Sequence, residues 1–324
     1  MKKEITFIIP TKNRVVFLKN FFKKNKFLLN SQNIFLIIDG SNFSDHKKIR
    51  NHFKKYKRIK VIKQSSVGFM NACFESIQYI KTNYFSYLYD DDFFSKHIID
   101  IHKNATRGNF SLGTGIVSSN QNISFEKSSF LKFSTEETIG AYYGNKIKNI
   151  KFLPVSPICS IFKKSILKNW KRSLTRFCYT NKLRKYFMLE RNIGPDLLLY
   201  LQSINNVKMV YVYQKPIAVF YSHLSSMSII FGKNELMIGY WLSKILFLTN
   251  NRLDNKTNNQ MFSFLLIVGI YLLIKNFFLF IFFQKSYVKF IFNETKKINS
   301  IKKRKIIISY IIKIIFNKFY NLFV

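Results

Sequence analysis

Three consecutive carboxylates, Asp90, Asp91 and Asp92, have the clearest chemical potential in this sequence. They end an apolar run over residues 84–89 in a chain with 53 Lys and Arg, 16 Asp and Glu and a formal net charge of +37. Adjacent like charges repel unless a cation or raised pKa values relieve them. Because oxygen ligands suit hard divalent cations, the triplet predicts a cation site. The alternative is an acidic loop at a strand end.

A further acid, Asp39, ends the apolar run over residues 34–38 and is followed by Gly40 and Ser41. Such a carboxylate could turn sharply to reach a ribose hydroxyl or a base edge, although an Asp-Gly pair is also an ordinary turn. The loop after the first apolar run reads Pro10-Thr11-Lys12-Asn13-Arg14. This loop matches neither a dinucleotide fingerprint nor a P-loop.

The elements that position these residues follow from two alternating periodicities in the first hundred residues. Short apolar runs predict strands over 5–9, 34–38, 59–62 and 84–89. The segments between them predict helices over 15–26, 45–57 and 67–81. Continuous apolar runs are typical of strands covered on both faces. Strand–helix alternation at this spacing therefore predicts an α/β fold with a mainly parallel sheet.

The remainder of the chain divides by its pattern into two parts. Residues 106–232 predict strands near 115–117 and 207–213 and helices near 162–171 and 194–204. From about residue 233 to 324 the strand pattern is lost and basic, apolar stretches dominate. The predicted organisation is a first half over 1–105, a second half of the same domain over 106–232 and a helical tail over 233–324.

The tail contains two apolar segments. Residues 261–283 are long enough to span a bilayer, but Lys275 interrupts them at a cost in hydrocarbon. Residues 306–323 follow the basic run 302–305 and place polar side chains on one helical face, as in a helix lying in the membrane interface. A membrane-surface helix, a true span and a soluble helical cap all remain open. We expect an anionic membrane surface as a partner and no nucleic acid.

Composition limits the class of protein. A hydrophobic content of 48% excludes a disordered chain. The three cysteines form no C-x-x-C pair, which is compatible with a reducing compartment. The first apolar run is too short for a signal-peptide core. These features predict a cytoplasmic protein, peripheral on the inner face of the cell membrane. Part of the basic excess is also explained by AT-rich codons.

Taken in order, these motifs resemble the family-2 glycosyltransferases with the GT-A fold. The resemblance rests on the loop 10–14, on the Asp-Gly-Ser turn at 39–41, on Val67-Gly68 before a helix and on the triplet after 84–89. A late His-plus-Ser segment over 221–228 also matches. The resemblance covers roughly residues 4–230 and leaves out the tail.

The resemblance implies roles for these residues. The nucleotide-sugar donor would be bound by the residues Pro10, Thr11, Arg14, Asp39, Gly68, Asp90 and Asp91. The metal, Mn²⁺ or Mg²⁺ bridging the diphosphate, would be held by Asp92, Asp90 and His223. His223 also has a structural role open to it, as a lone histidine in an aromatic neighbourhood.

The general base of the family would correspond to Asp196, which follows Gly194 and Pro195 at a predicted helix start. The alternative role for Asp196 is to complement the helix dipole. The family often has a second acid here and this chain has Pro195, so Glu190 is the reserve candidate. The implied reaction is inverting, metal-dependent sugar transfer to a glycan or lipid-linked acceptor in bacterial surface polysaccharide synthesis. A nucleotidyltransferase, or a membrane- or nucleic-acid-binding module without catalysis, is the alternative.

Overall fold

The computed structural model describes residues 5–29, 33–66, 68–120, 123–150, 153–177, 193–223, 227–251 and 261. Its strands are β1 (Ile5–Thr11), β2 (Ile34–Asp39), β3 (Ile59–Lys63), β4 (Tyr84–Tyr87), β5 (Phe93–Phe94), β6 (Phe110–Ser118), β7 (Phe130–Ser134), β8 (Phe162–Lys163) and β9 (Met209–Tyr221). Its helices are α1 (Val15–Lys24), α2 (Lys26–Leu29), α3 (Phe43–Phe53), α4 (Phe69–Ser76), α5 (Ile98–Thr106), α6 (Thr135–Tyr142), α7 (Ile166–Phe177), α8 (Pro195–Ile204) and α9 (Met227–Asn250). Short 3₁₀ turns lie at Ile77–Tyr79 and Pro157–Cys159.

The main sheet has the strand order β3-β2-β1-β4-β8. The first four strands are parallel, and β8 pairs antiparallel with β4. Every residue of β1 is buried, as its continuous apolar run predicts, because helices cover both faces. The predicted α/β fold with a mixed, mainly parallel sheet is confirmed.

The second sheet is built around the long strand β9, which pairs with β5, β6 and β7. Its pairing with β5, directly after the Asp triplet, brings the late part of the chain to the end of β4. The predicted strands near 115–117 and 207–213 lie within or overlap β6 and β9. Residues 227–250 then form α9, whose Trp241 and Phe247 are buried in the core with α8.

Several predicted helix boundaries were wrong, since α3 ends at Phe53 rather than at 57 and α4 spans Phe69–Ser76 rather than 67–81. The helix predicted over 162–171 begins instead as the strand β8, and α7 starts at Ile166. The ring of Phe162 packs 5.6 Å from that of Phe85 on β4, so tertiary pairing overrides the local helical pattern.

No helix in the described part of the chain is long and apolar enough to cross a membrane. Apart from Met261, the predicted segments 261–283 and 306–323 lie outside the described residues. The three-part division at 105 and 232 stays a prediction.

Candidate active site at the ends of β1, β2 and β4

The predicted donor-binding residues meet at the centre of the main sheet, where β2 and β3 lie on one side of β1 and β4 lies on the other. Strand β1 lies between β2 and β4, so the crevice at their carboxyl ends is a topological switch point, where open α/β sheets bind ligands. Thr11, at the end of β1, is in register with Asp39 of β2. Its hydroxyl donates to Oδ2 of Asp90 at 2.5 Å. The loops after β1 and β4 are thereby joined.

Arg14 joins the same two loops with charge. Its guanidinium donates to Asp90 at 2.6 Å and to Asp91 at 2.8 Å, and it lies 4.3 Å above the centre of the Phe17 ring. Asn13 shapes the loop by adopting a left-handed conformation with φ of 55°, which asparagine tolerates better than most residues. The backbone amide of Asn13 donates to the Ser41 hydroxyl at 2.7 Å.

His223, from the segment after β9, completes the cluster. Its Nε2 lies 2.8 Å from the Asp91 carboxylate and 3.2 Å from Arg14. The amide of Tyr221 donates to Asp92 at 3.1 Å. The structure thus brings together the triplet, Arg14 and His223, as the resemblance implies. Residues 224–226 of the predicted late segment lie outside the described residues.

The triplet carries more negative charge than its burial allows without a partner. Asp90 and Asp92 are 3% and 7% exposed. Burial raises the pKa of Asp90 to about 6, against the opposing effect of Arg14. Burial, and next the Asp91 carboxylate, raise the pKa of Asp92 well above its usual range. Within the described part of the chain, no cationic side chain forms an ion pair with Asp92.

These donors fit a divalent cation by type and by charge. Carboxylate oxygens and an imidazole nitrogen suit Mn²⁺, and oxygens suit Mg²⁺. Asp92 is the buried carboxylate whose charge a cation would compensate. As they stand, however, no three His, Cys, Asp or Glu side chains among the described residues form a group that could hold a metal ion. Arg14 compensates Asp90 and Asp91 instead.

Direct contact with a nucleoside would need an accessible carboxylate at Asp39, and the structure does not show one. Asp39 is fully buried, and both carboxylate oxygens are engaged. One accepts from the Ser41 amide at 2.8 Å, and the other lies 2.7 Å from Nδ1 of His46. Direct contact between Asp39 and a nucleoside stays a prediction. His46, which the sequence reasoning missed, is the partly exposed side chain that Asp39 holds.

The two remaining donor-binding candidates have backbone roles in this arrangement. Pro10 lies buried within β1, in register with Ile38. Gly68 precedes α4 with a φ of 112°, a conformation that favours glycine. The carbonyl of Gly68 accepts from the side-chain amide of Gln64 at 2.8 Å. Val67 lies outside the described residues.

Asp196 lies in the first turn of α8, as predicted, and its position is fixed from three sides. Trp170 of α7 donates to the carbonyl of Pro195 at 2.7 Å, and Ser243 of α9 donates to that of Gly194 at 2.6 Å. The Leu197 amide donates to the Asp196 carboxylate at 2.8 Å. Burial nevertheless raises the pKa of Asp196 to about 7, the range that suits a general base. Glu190, the reserve candidate, lies outside the described residues.

A small pocket with a cavity volume of about 20 Å³ lies beside Asp196. It is lined by Phe69, Met70, Cys73, Tyr87, Tyr89, Pro157, Trp170, Pro195, Asp196 and Leu199. Burial, then Asp196, Cys73 and Asp92 in turn, raise the pKa of Tyr89. Tyr89 is therefore close enough to both Asp196 and Asp92 to feel their charges, and it connects the cavity with the triplet.

The fold is that of GT-A glycosyltransferases. S. aureus TarS, residues 1–349, in complex with UDP-GlcNAc, superposes with a TM-score of 0.56 at 13% identity, covering 83% of this chain and 73% of that one. A mannosyltransferase from Pyrobaculum calidifontis, in complex with GDP-Man and Mn²⁺, superposes with a TM-score of 0.53 at 8% identity, covering 96% and 86%. At these identities the likeness establishes the fold alone. No curated protein matches this chain.

Residues 6–170, just over half of the chain, match the family model of glycosyl transferase family 2. The chain belongs to that family. The resemblance seen in its motifs is thus confirmed, and the protein is a glycosyltransferase.

Proposed function

We propose that this protein transfers a sugar from a nucleotide sugar to a hydroxyl of a glycan or lipid-linked acceptor, with inversion and with the help of Mn²⁺ or Mg²⁺. The observation that carries the proposal is the convergence of two distant segments on the Asp triplet. Thr11 and Arg14 reach it from β1, and His223 reaches it from the segment after β9. The related structures hold UDP-GlcNAc in one case and GDP-Man with Mn²⁺ in the other.

The nucleotide would lie in the crevice between β1 and β4, bound by the loop 10–14, Gly68 and the region of Asp39. Asp92 would be the principal metal ligand, with Asp90 and His223 nearby. When bound, the cation would supply positive charge to the departing diphosphate. Arg14 is a second cation at the same place, and its guanidinium is suited to phosphate oxygens because it is planar and bidentate.

Asp196 would take the proton from the attacking acceptor hydroxyl. A carboxylate with a pKa of about 7 is deprotonated in about half of the molecules at neutral pH, and it is a stronger base than an ordinary aspartate. A single base and a single displacement invert the anomeric centre. The Gly194 and Pro195 carbonyl contacts from α9 and α7 hold this base rigidly.

The metal and donor roles are tested by Asp92→Asn with Asp45→Asn as the control. Asp45 is a surface acid paired with Lys48, away from the triplet. Binding of UDP and GDP sugars is measured by thermal shift with and without Mn²⁺. We expect Asp92→Asn to lose the Mn²⁺-dependent part of binding and Asp45→Asn to retain it. Full Mn²⁺-dependent binding and transfer by Asp92→Asn would show that the metal assignment is wrong.

The basic tail supports a place for this enzyme at an anionic membrane, on the cytoplasmic side, where a lipid-linked acceptor of surface polysaccharide synthesis is found. The support is compositional: the run Lys302-Lys303-Arg304-Lys305 precedes an apolar segment. Sedimentation of the full chain with phosphatidylglycerol vesicles tests this. We expect binding that 0.5 M salt weakens and that substitution of the four basic residues by Gln reduces, with little binding to neutral vesicles. Equal binding to neutral vesicles would refute electrostatic attachment.

A further inference from the structure

The cavity beside Asp196 has a polar mouth and an apolar floor. At the mouth, Phe69, Tyr89 and Asp196 are partly exposed, and the two rings lie 5.8 Å apart. The floor is formed by the fully or almost fully buried side chains of Met70, Cys73, Tyr87, Trp170 and Leu199. Asp196 is the one charged group among the residues that line this cavity.

The floor offers almost no hydrogen bond to a ligand, although two of its side chains carry polar groups. The Tyr87 hydroxyl donates to the Cys73 carbonyl at 3.1 Å. The Trp170 indole donates to the Pro195 carbonyl at 2.7 Å. Burial raises the pKa of the Cys73 thiol, which therefore stays a neutral, weakly polar group. A group that enters the cavity thus meets carbon and sulfur.

The cavity belongs to the donor side of the site. Helix α4 and the end of β4 supply half of the residues that line the cavity. Helix α4 follows Gly68, a donor-binding candidate, and β4 is followed by the triplet. Tyr89 directly precedes Asp90. A sugar whose diphosphate lies on the triplet would therefore stand at the cavity mouth, with Asp196 at its rim.

We infer that the cavity takes a methyl group carried by the donor sugar, either that of an acetamido substituent or that of a 6-deoxy sugar. This inference rests on the proposed function. A hydroxyl pushed onto the floor would lose its water without gaining a partner, whereas a methyl group loses nothing and gains packing. Two substrates that differ by one such apolar group in an apolar pocket are usually discriminated by about 10- to 200-fold in kcat/KM or affinity.

The test uses the full chain and matched donors that differ in the substituent. Dissociation constants are measured for UDP-GlcNAc against UDP-glucose, UDP-GalNAc against UDP-galactose, and GDP-6-deoxymannose against GDP-mannose, with free UDP and GDP beside them. We expect the methyl-bearing member of at least one pair to bind about tenfold more tightly or better. The acetamido and deoxy pairs separate the two sources of the methyl group.

Two substitutions of one residue probe the floor itself. Cys73→Met fills the cavity and Cys73→Ala deepens it, so both should lower the discrimination within the preferred pair several-fold while free UDP or GDP binds within twofold of wild type. Cys159→Ala is the matched control, because Cys159 is a second fully buried free cysteine that does not line the cavity. It should leave the discrimination unchanged.

The outcomes separate the two claims. Equal binding of both members of every pair, with free UDP or GDP still bound, overturns the methyl pocket and leaves the transferase proposal standing. Unchanged discrimination in both Cys73 variants overturns the location of the pocket. Failure to bind any nucleotide or donor overturns the proposed function, and the pocket inference with it.

Discussion

Arg14 and Asp90 form an ion pair of 2.6 Å between the loop after β1 and the loop after β4, across 76 positions of sequence. The same guanidinium donates to Asp91. Arg14 thus supplies, from within the protein, the positive charge that the first two carboxylates of the triplet need. A metal ion that approached these carboxylates would compete with Arg14 or displace it.

The first prediction concerns this pair. Arg14→Gln leaves two carboxylates without their cation, so we expect the free energy of unfolding to fall by about 1–3 kcal/mol in metal-free buffer. Added Mn²⁺ should restore part of that loss, since it can take over the compensation. Urea unfolding with and without Mn²⁺ measures both effects.

Arg172→Gln is the control for Arg14→Gln. Arg172 is exposed on α7 and hydrogen-bonds the Asn169 side chain at 3.2 Å. Its removal should change stability by less than about 0.5 kcal/mol, with or without Mn²⁺. If the two variants behaved alike, Arg14 would not be the internal cation of the triplet.

The second prediction separates the two readings of Asp196 by pH. Its pKa in the folded protein is about 7, above the ordinary value of 3.8. The folded state therefore holds this proton more tightly than the unfolded state, and stability falls as the pH rises from about 4 to about 7. Asp196→Asn should then raise the free energy of unfolding by roughly 1–3 kcal/mol at pH 8, allowing for partial exposure, with the gain vanishing toward pH 4.

The same variant should lose about 10²- to 10⁴-fold in transfer rate, because it removes the base. The wild-type rate should rise with pH up to about 7. Tyr142, Tyr200 and Tyr240 have raised pKa values and stay neutral in this range. Asp90, with a pKa of about 6, and Asp92, whose pKa is also raised, contribute to the same rise, so the part due to Asp196 is the part that Asp196→Asn removes. Asp45→Asn is the control, because Asp45 also lies in the first turn of a helix. A loss of stability at pH 8 in both variants would mean that Asp196 only complements the helix dipole.

The third prediction concerns His223, which orients Asp91 from the segment after β9. His223→Gln should weaken Mn²⁺-dependent donor binding by about 10-fold, the usual size of effect for a residue that holds or orients a metal ligand. His97→Gln is the control, since His97 is a buried histidine that also lies near an acid, 3.4 Å from Asp100, but directly before α5. Isothermal titration of Mn²⁺ with UDP present compares them. Equal affinities in the two variants would leave His223 with a structural role.

How far the site could be predicted depends on whether local pattern or distant pairing places a residue. Thr11, Asp39 and the triplet follow directly from apolar runs that become β1, β2 and β4, because parallel strands bring their carboxyl ends to one edge. The contact of Asp39 with His46 and that of Arg14 with Asp90 depend on side-chain geometry across loops, which no periodicity encodes. The strand β8 was missed for a similar reason, since its pairing with β4 is non-local.

The last prediction tests how α9 holds the base. Gly194, two residues before Asp196, has a φ of 108°, and a Cβ there would lie 2.3 Å from the carbonyl oxygen of Gly239 on α9. Gly108 also has a positive φ, 89°, but a Cβ there meets nothing within 4 Å. Gly108→Ala should therefore lower the free energy of unfolding only by the cost of a left-handed backbone at a residue with a Cβ, about 1–2 kcal/mol.

Gly194→Ala adds a steric clash to that backbone cost, so it should lower the free energy of unfolding clearly more than Gly108→Ala does. The clash should also push the start of α8 away from α9. Because this movement would carry Asp196 away from the cavity, we expect the transfer rate to fall in the folded fraction of Gly194→Ala and to be retained in Gly108→Ala. Chemical unfolding and transfer assays of both variants measure the two quantities. Equal costs and equal rates would show that the Gly194–Gly239 contact does not position the base.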